Sequence, residues 1–352
     1  MQQNFVIYTR AKKDAKALSH LNLPFEIKTL QGIRGEELIE TIKNMDGLYY
    51  KLFLLGKRDP DVEVDSYLTV IHKVPKANVR NVKLPLLKKE LKTALYKFIT
   101  KPFNIECECD VGLWDKGIIL FKKYEDLYYS NGKLVKKIDR IKGEIIEYGE
   151  ADGEKPYIDI KEKVNEAIEF IKQFKDYEIV IPFSGGKDST TVAILAKKAK
   201  VDFDLVFVDT GLEFKQTLEY IDYISKKIKP INIVYAGIDK KYKMFGFDYL
   251  KRRLCTKDKI TTLYNYVRNN YENPVLLVGD RLIESEARLF RPRIFKDEFL
   301  VAQPIKFFSY ADEQILLEKE NIKLNPLYEK GFYRVGCNVC PFLDNYEKSI
   351  PL

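Results

Sequence analysis

Apolar and polar positions follow two textures along the chain. Over the first 150 residues, short β-like runs mix with a basic helix. Phe5 to Tyr8 reads as a strand, Glu36 to Asn44 as a helix, and Lys83 to Thr100, apolar at helical spacing, as a second helix. Asn131-Gly132 between Asp126 to Ser130 and Lys133 to Ile138 predicts a hairpin, because both turn positions tolerate positive φ. Gly117 to Lys122 and Glu144 to Tyr148 complete a small antiparallel sheet. The polar, Gly/Pro-punctuated stretch 149–156 reads as a linker.

From about residue 160 an apolar strand, a loop and an amphipathic helix recur. A helix at Ile160 to Phe174 places Val164, Ala167, Ile168 and Ile171 on one face. Strands are expected at Glu178 to Phe183, Leu205 to Val208, Asn232 to Tyr235 and Pro274 to Val278. Helices are expected between them at Thr190 to Lys200, Phe214 to Lys227 and Asp258 to Asn269. Alternation of this kind predicts βαβ units. The expected fold class is α/β: a doubly wound parallel sheet over 157–345, with an N-terminal α+β domain over 1–150.

Composition narrows the chemistry. The 352 residues are 45% hydrophobic and 32% charged, enough to bury real cores. No run approaches 18 apolar residues and the start lacks a signal-peptide core, so membrane spanning and secretion are poor readings and a cytoplasmic location is expected. Sixty Lys and Arg against 52 Asp and Glu leave +8, which suits a polyanionic partner. With only two histidines, His-based triads and multi-His metal sites are nearly excluded. Five cysteines in such a chain point to metal or redox use.

The most informative segment is Ser184-Gly185-Gly186-Lys187-Asp188-Ser189, where an apolar strand runs into two glycines and a helix opens at about Ser189. Glycines let the backbone approach a phosphate and aim N–H groups at it, the helix dipole favours the anion, and Lys187 adds a charge. The spacing is not that of a Walker A loop.

This segment resembles the pyrophosphate-binding PP-loop of the ATP pyrophosphatase superfamily, which splits ATP between its α- and β-phosphates. Further stretches resemble one branch, the phosphoadenosine phosphosulfate (PAPS) reductase family, in consistent order over roughly 160–345. They are Val208-Asp209-Thr210-Gly211-Leu-Glu213; Gly279-Asp-Arg281-Leu-Ile-Glu284-Ser285-Glu-Ala-Arg288; Pro304-Ile305 with Phe308 to Asp312; and Asn325 to Pro341, which contains Gly336-Cys337-Asn-Val-Cys340 and resembles archaeal and phosphorothioation-type members. The resemblance implies that Ser184, Gly185, Gly186, Lys187, Asp188 and Ser189 meet the phosphates. It puts Asp209, Thr210, Gly211 and Gly279 at the nucleotide, with Asp209 also near Mg²⁺, and Arg281 and Arg288 near the reacting phosphate. Lys187, Asp188, Asp209, Arg281 and Arg288 are the implied catalytic residues. Asp209 as a helix N-cap, and structural pairs of the two arginines with Glu284 and Glu213, remain open.

Cys337-x-x-Cys340 and Cys255 are three soft ligands that suit an iron–sulfur cluster or zinc, and a redox or structural pair stays open. Arg252, Arg253, Lys257 and Lys259 would lower the thiol pKa values. Resemblance to thiolating PP-loop enzymes favours a [4Fe–4S] cluster with one open iron. One residue of Cys107-Glu-Cys109 could add a fourth ligand; in a strand the two point to opposite faces.

A reductase of this family carries a catalytic Glu-Cys-Gly-x-His tail or a Cys-Cys pair; here no histidine follows His72 and Leu254 precedes Cys255. The intact loop suits ATP. The resulting expectation is adenylation of a substrate followed by sulfur transfer. The alternatives are a PAPS or APS reductase and a non-catalytic nucleotide-binding subunit of a nucleic-acid-modifying complex. Between His72 and Lys101 lie nine Lys/Arg and one acid, Glu90, a segment expected either to engage RNA, tRNA or another nucleic acid or to be a solvated face. A homodimer is also allowed for; the sulfur donor has no signature.

Overall fold

The computed structural model describes residues 3–103, 112–115, 118–123, 126–130, 133–150 and 159–350. The Asn131-Gly132 turn, Cys107, Cys109 and the expected linker from residue 151 on lie outside them.

A four-stranded parallel sheet comes first, where the hydrophobic pattern had given only one strand. Its elements are β1 (Phe5–Thr9), α1 (Lys12–Ser19), β2 (Glu26–Thr29), α2 (Gly35–Lys43), β3 (Tyr50–Leu55) and β4 (Thr69–Lys73), in the order β2-β1-β3-β4. Because β1 feeds β2 on one side and β3 on the other, a topological switch point lies between β1 and β3. Helix α3 (Leu84–Thr100) follows and buries Leu87, Leu91, Leu95 and Phe98. Next comes an antiparallel meander, β5 (Gly112–Asp115), β6 (Ile118–Lys123), β7 (Leu127–Ser130), β8 (Lys133–Asp139) and β9 (Glu144–Glu147).

The second half is built on a six-stranded sheet ordered β12-β11-β10-β13-β15-β14. In chain order it runs α4 (Lys161–Lys172), β10 (Glu178–Phe183), α5 (Lys187–Ala199), β11 (Asp204–Asp209), α6 (Lys215–Lys227), β12 (Ile231–Tyr235), α7 (Ile238–Phe245), α8 (Phe247–Lys251), α9 (Leu254–Asn270), β13 (Pro274–Leu277), α10 (Glu286–Leu289), β14 (Ile294–Lys296), β15 (Leu300–Ala302), α11 (Tyr310–Lys319), α12 (Pro326–Glu329) and α13 (Asn345–Ser349). Five strands are parallel and β14 pairs antiparallel with β15. Strands β10, β11 and β13 are apolar runs because both faces are covered: Ile181, Leu205 and Leu277 pack with Leu195 and Ile224, while Val180, Val206 and Leu276 pack with Val267. The chain leaves β10 for β11 and β12, then returns through β13 on the other side. That puts a second switch point between β10 and β13, the ligand position of doubly wound sheets.

The two parallel sheets are joined by buried contacts. Phe307 sits among Phe5, Tyr50 and Phe98, with centroids 5.2, 4.1 and 5.5 Å away. Arg293, held within the second half by two bonds to Glu166 at 2.5 and 2.9 Å, reaches the Tyr50 ring of β3, 5.6 Å from its centroid. The expected basic helix is thus in part a strut: Lys88 pairs with Glu286 at 2.8 Å, and the Lys101 ammonium donates to the carbonyls of Val64, Ser66 and Thr69. Among the described residues no helix is long and apolar enough to cross a membrane.

Candidate active site

Residues 184–186 turn the chain from β10 into α5, which opens at Lys187, two residues earlier than the pattern suggested, with Gly186 as N-cap. Gly186 has no side chain to cap that end; the Gly186 N–H meets Ser184 Oγ at 3.4 Å and the Lys187 N–H is taken up from outside the helix, which leaves the Asp188 and Ser189 N–H groups, among the described residues, to an anion. Gly185 has φ +73°, and a Cβ there would lie 3.0 Å from the Thr217 methyl, so glycine is required twice over. Ser189 Oγ donates to the Gly186 carbonyl at 3.0 Å and accepts from the Ser184 N–H at 3.2 Å, which fixes the turn.

Lys187 does not reach outward. Its side chain is 3% exposed, and its ammonium pairs with Asp188 at 2.7 Å and Glu313 at 2.9 Å. Arg281, from the loop after β13, reaches the same group: its Nε is 2.7 Å from Asp188 and 3.5 Å from Glu313. Gly279 permits this closeness, since a Cβ there would come within 2.9 Å of the Asp188 backbone carbon. Two cations and two carboxylates therefore interlock behind the loop, across the switch point.

Their proton affinities diverge. Burial alone would raise the Asp188 carboxyl, but the charges of Lys187 and Arg281 outweigh it and hold the group well below the usual carboxylate range. Burial pushes Glu313 well above its ordinary 4.5, with the Asp188 charge adding to the shift. Asp188 is the ionised partner and Glu313 the proton holder, the kind of split that marks acid and base roles. For Lys187, burial and Arg281 disfavour the charge, yet the acids prevail and its pKa rises.

Two residues outside the expected set hold the loop from the other side. Asn325 donates to the Gly185 carbonyl at 3.0 Å and caps α12 through the Leu327 N–H. The Tyr328 hydroxyl accepts from the Lys187 N–H at 3.3 Å. Both were visible as motif residues but carried no role. Glu313 gave no signal at all: it sits in a first turn of α11 that is buried on every side, so periodicity cannot single it out.

The remaining expected residues are placed as follows. Asp209 ends β11 and accepts from the Gly211 N–H at 2.8 Å; the N-cap of α6 is Phe214, so Asp209 is not a helix cap. Thr210 donates to Glu213 at 2.9 Å. Arg288 pairs with Glu284 and, at 2.9 Å, with Asp280. Glu213 is not its partner, because Glu213 lies in a β-bridge with Cys337 on the far side of the loop. Arg288 therefore stands one step removed from the interlocked group, whereas Arg281 belongs to it.

Helix α9 begins at Leu254, four residues earlier than expected, which sets Cys255 in its first turn. The Cys337–Cys340 turn is docked on the loop after β11 by the Asn338 N–H to Leu212 carbonyl bond, 2.8 Å, and the Arg253 guanidinium lies 4.3 Å over the Phe342 ring. Cys337 is hydrogen-bonded to Cys340, which is the main reason the Cys337 thiol is pushed up and Cys340 is brought down to about 6. Arg334 and Arg253 help to lower Cys340, so of the cations expected to act, Arg253 does, joined by Arg334. Cys255 lies close enough for its charge to raise Cys337. The donor set fits a thiophilic metal in kind, but among the described residues no three His, Cys, Asp or Glu side chains converge as a metal site.

Comparison with known proteins places this geometry. Residues 178–342 match the phosphoadenosine phosphosulfate reductase domain. Two uncharacterised proteins of Methanocaldococcus jannaschii are similar: one is 38% identical over 51% of this chain and 40% of its own length, the other 33% over 49% and 44%. The chain thus spans less than half the length of these relatives. An adenosine 5'-phosphosulfate reductase of Lysinibacillus sphaericus is 25% identical over 51% of this chain and 82% of its own. A solved PAPS reductase from Candida auris, 15% identical, overlays 49% of this chain and 93% of its own with a TM-score of 0.40. The match to the phosphoadenosine phosphosulfate reductase domain thus runs from the first residue of β10 to just past the cysteine pair.

Proposed function

We propose that this chain is a nucleotide-binding enzyme that uses ATP with Mg²⁺ to adenylate an acceptor, RNA or another nucleic acid, and then passes sulfur to it. The observation that carries the reading is the uncapped, glycine-lined turn at the β10/β13 switch point, with its buried charges locked behind it.

In this reading the N–H groups of Asp188 and Ser189 and the positive end of α5 bind the β,γ-phosphates on the glycine turn. Asp209, Thr210 and Gly211 face the nucleotide from β11. An acceptor oxygen attacks the α-phosphorus, its bond to the β-phosphate oxygen breaks, and pyrophosphate leaves. Sulfide-level sulfur (HS⁻) then attacks the activated carbon, so that a carbon–sulfur bond forms as the carbon–oxygen bond breaks, AMP leaves with the electron pair, and no oxidant or reductant is consumed. Asp188, Lys187 and Arg281 hold the loop in register, and Glu313 keeps a proton on its carboxyl beside Asp188. Cys255, Cys337 and Cys340 are the residues that would hold a [4Fe–4S] cluster, or zinc in its place; a cluster with an open iron would supply a site for sulfide.

A second reading, reduction of adenylyl sulfate, is favoured by the relatives named adenosine 5'-phosphosulfate reductase. One experiment separates them. Anaerobically purified protein is given ATP, Mg²⁺ and a pool of short RNAs, and separately APS or PAPS with a dithiol. Pyrophosphate release only in the first supports thiolation. Sulfite from the second without pyrophosphate from the first overturns it.

A further inference from the structure

We propose that the carboxyl edge of the N-terminal parallel sheet is a docking platform for a nucleic-acid strand, gripped by its phosphodiester backbone. Lys12 and Lys13 follow β1, Lys57 and Arg58 follow β3, and Lys76 follows β4; all five side chains are exposed, and among the described residues none has a carboxylate within ion-pair distance.

The three loops are stitched into one surface. Arg10 donates to Asp59 at 2.8 Å and to the carbonyls of Leu30 and Ile33 at 3.2 and 2.6 Å. The Gly56 N–H donates to the other Asp59 oxygen at 2.7 Å, and the Lys57 N–H to the Lys76 carbonyl at 3.0 Å. The Arg80 N–H donates to buried Asp14 at 3.1 Å. Two of the edge's acids are therefore spent inward, Asp59 on Arg10 and Asp14 on the Arg80 turn, while Asp61 stays exposed and is paired at the surface with Lys73 at 2.5 Å. Exposed Glu36 and Glu37 open α2 beyond β2, which makes that end acidic and directs the track from α1 toward β4.

Strands lie about 4.8 Å apart, so cations above β1, β3 and β4 cover about 10 Å, more than a single phosphate engages and suited to a repeating anion. None of the exposed large apolar side chains among the described residues lies in these three loops, which leaves nothing to insert into a lipid surface. The expected basic segment, by contrast, spends Lys88 of α3 and Lys101 just beyond it on the protein itself.

This inference deepens the acceptor half of the proposed function, and its test is a binding measurement that stands whether or not pyrophosphate is ever released. Fluorescent oligo-uridylate and oligo-thymidylate 20-mers are titrated with the full chain at several salt concentrations. Both are expected to bind, because phosphate contacts ignore base and sugar. The affinity should fall linearly in log–log with salt, by about 0.7 per phosphate neutralised. K12E/K57E/K76E should weaken binding more than tenfold and flatten that slope while leaving thermal unfolding unchanged, and K89E/K92E on α3 should change it less than twofold. Absence of salt-dependent binding, unchanged binding by K12E/K57E/K76E, larger loss in K89E/K92E, or equally tight binding of polyglutamate would each overturn the platform.

Discussion

In the six-stranded sheet, Asp188 and Arg281 bridge the switch point between β10 and β13; in the four-stranded sheet, Arg10 and Asp59 bridge the one between β1 and β3. The ion pair is the same and runs in opposite senses along the chain. What differs is the turn after the first strand. Gly185 and Gly186 keep Cβ atoms away from the N–H groups of α5, whereas Ala11 and Lys12 put Cβ atoms at the start of α1. A backbone cradle needs the former. The latter meets an anion first with side chains, and lysines with no carboxylate partner among the described residues stand there. Both turns also carry Lys-Asp. In α5 Asp188 is the second helical residue and meets Arg281; in α1 Asp14 is the third and turns into the protein, to the Arg80 N–H. One helical position separates a shared charge cluster from a loop anchor.

Four perturbations probe this contrast. The largest effect should come from Arg281→Met, which leaves Asp188 and Glu313 without their guanidinium. The cost is expected to be about 3–5 kcal/mol, read by urea unfolding. A loss below 1 kcal/mol would show that the interlock is not what holds the second switch point.

Gly279→Ala comes next. A methyl 2.9 Å from the Asp188 backbone must displace the loop, so a destabilisation of about 1–3 kcal/mol and loss of any MgATP-induced rise in Tm are expected.

Glu313→Gln mimics the protonated acid and should change stability by less than about 1 kcal/mol near pH 5. The pH dependence carries more information. Folded Glu313 keeps its proton above its ordinary 4.5 while the unfolded chain releases it, so the native state binds more protons there and wild-type stability falls as pH rises. The variant should lack that decline and gain on the wild type from pH 5 to 8. Asp188 acts oppositely: its lowered pKa contributes stability above about pH 4 that is lost as pH falls through the lowered value, in wild type and variant alike. Parallel curves for the two proteins between pH 5 and 8 would remove Glu313 as the proton holder.

The smallest effect belongs to the other sheet. Lys12→Ser with Lys13→Ser should shift stability by no more than about 0.5 kcal/mol, since both side chains are exposed and have no carboxylate partner among the described residues.

Much of the second sheet was legible in the sequence because parallel strands covered on both faces read as unbroken apolar runs, as in Ile179 to Phe183 or Leu205 to Val208. The first sheet was hidden for opposite reasons. Edge strands β2 and β4 are short and half polar, and buried Lys51 interrupts β3, its ammonium satisfied by the Gly47 carbonyl at 2.6 Å. At the site, the glycine turn could be read because only glycine does what it does there. Glu313, Asn325 and Tyr328 could not, because their roles arise from helices docking on the turn. The inward pairing of Lys187 was hidden for the same cause: besides its neighbour Asp188, its charge is answered by Glu313 from α11.

Asn325 and Tyr328 clasp the glycine turn, and a few residues further on the same ribbon presents Cys337 and Cys340, itself laced to the end of β11 through Glu213. The glycine turn and the cysteine turn are thus mounted on one stretch of chain rather than on separate hinges. A substitution that moves Asn325 or Tyr328 is therefore expected to shift both turns together.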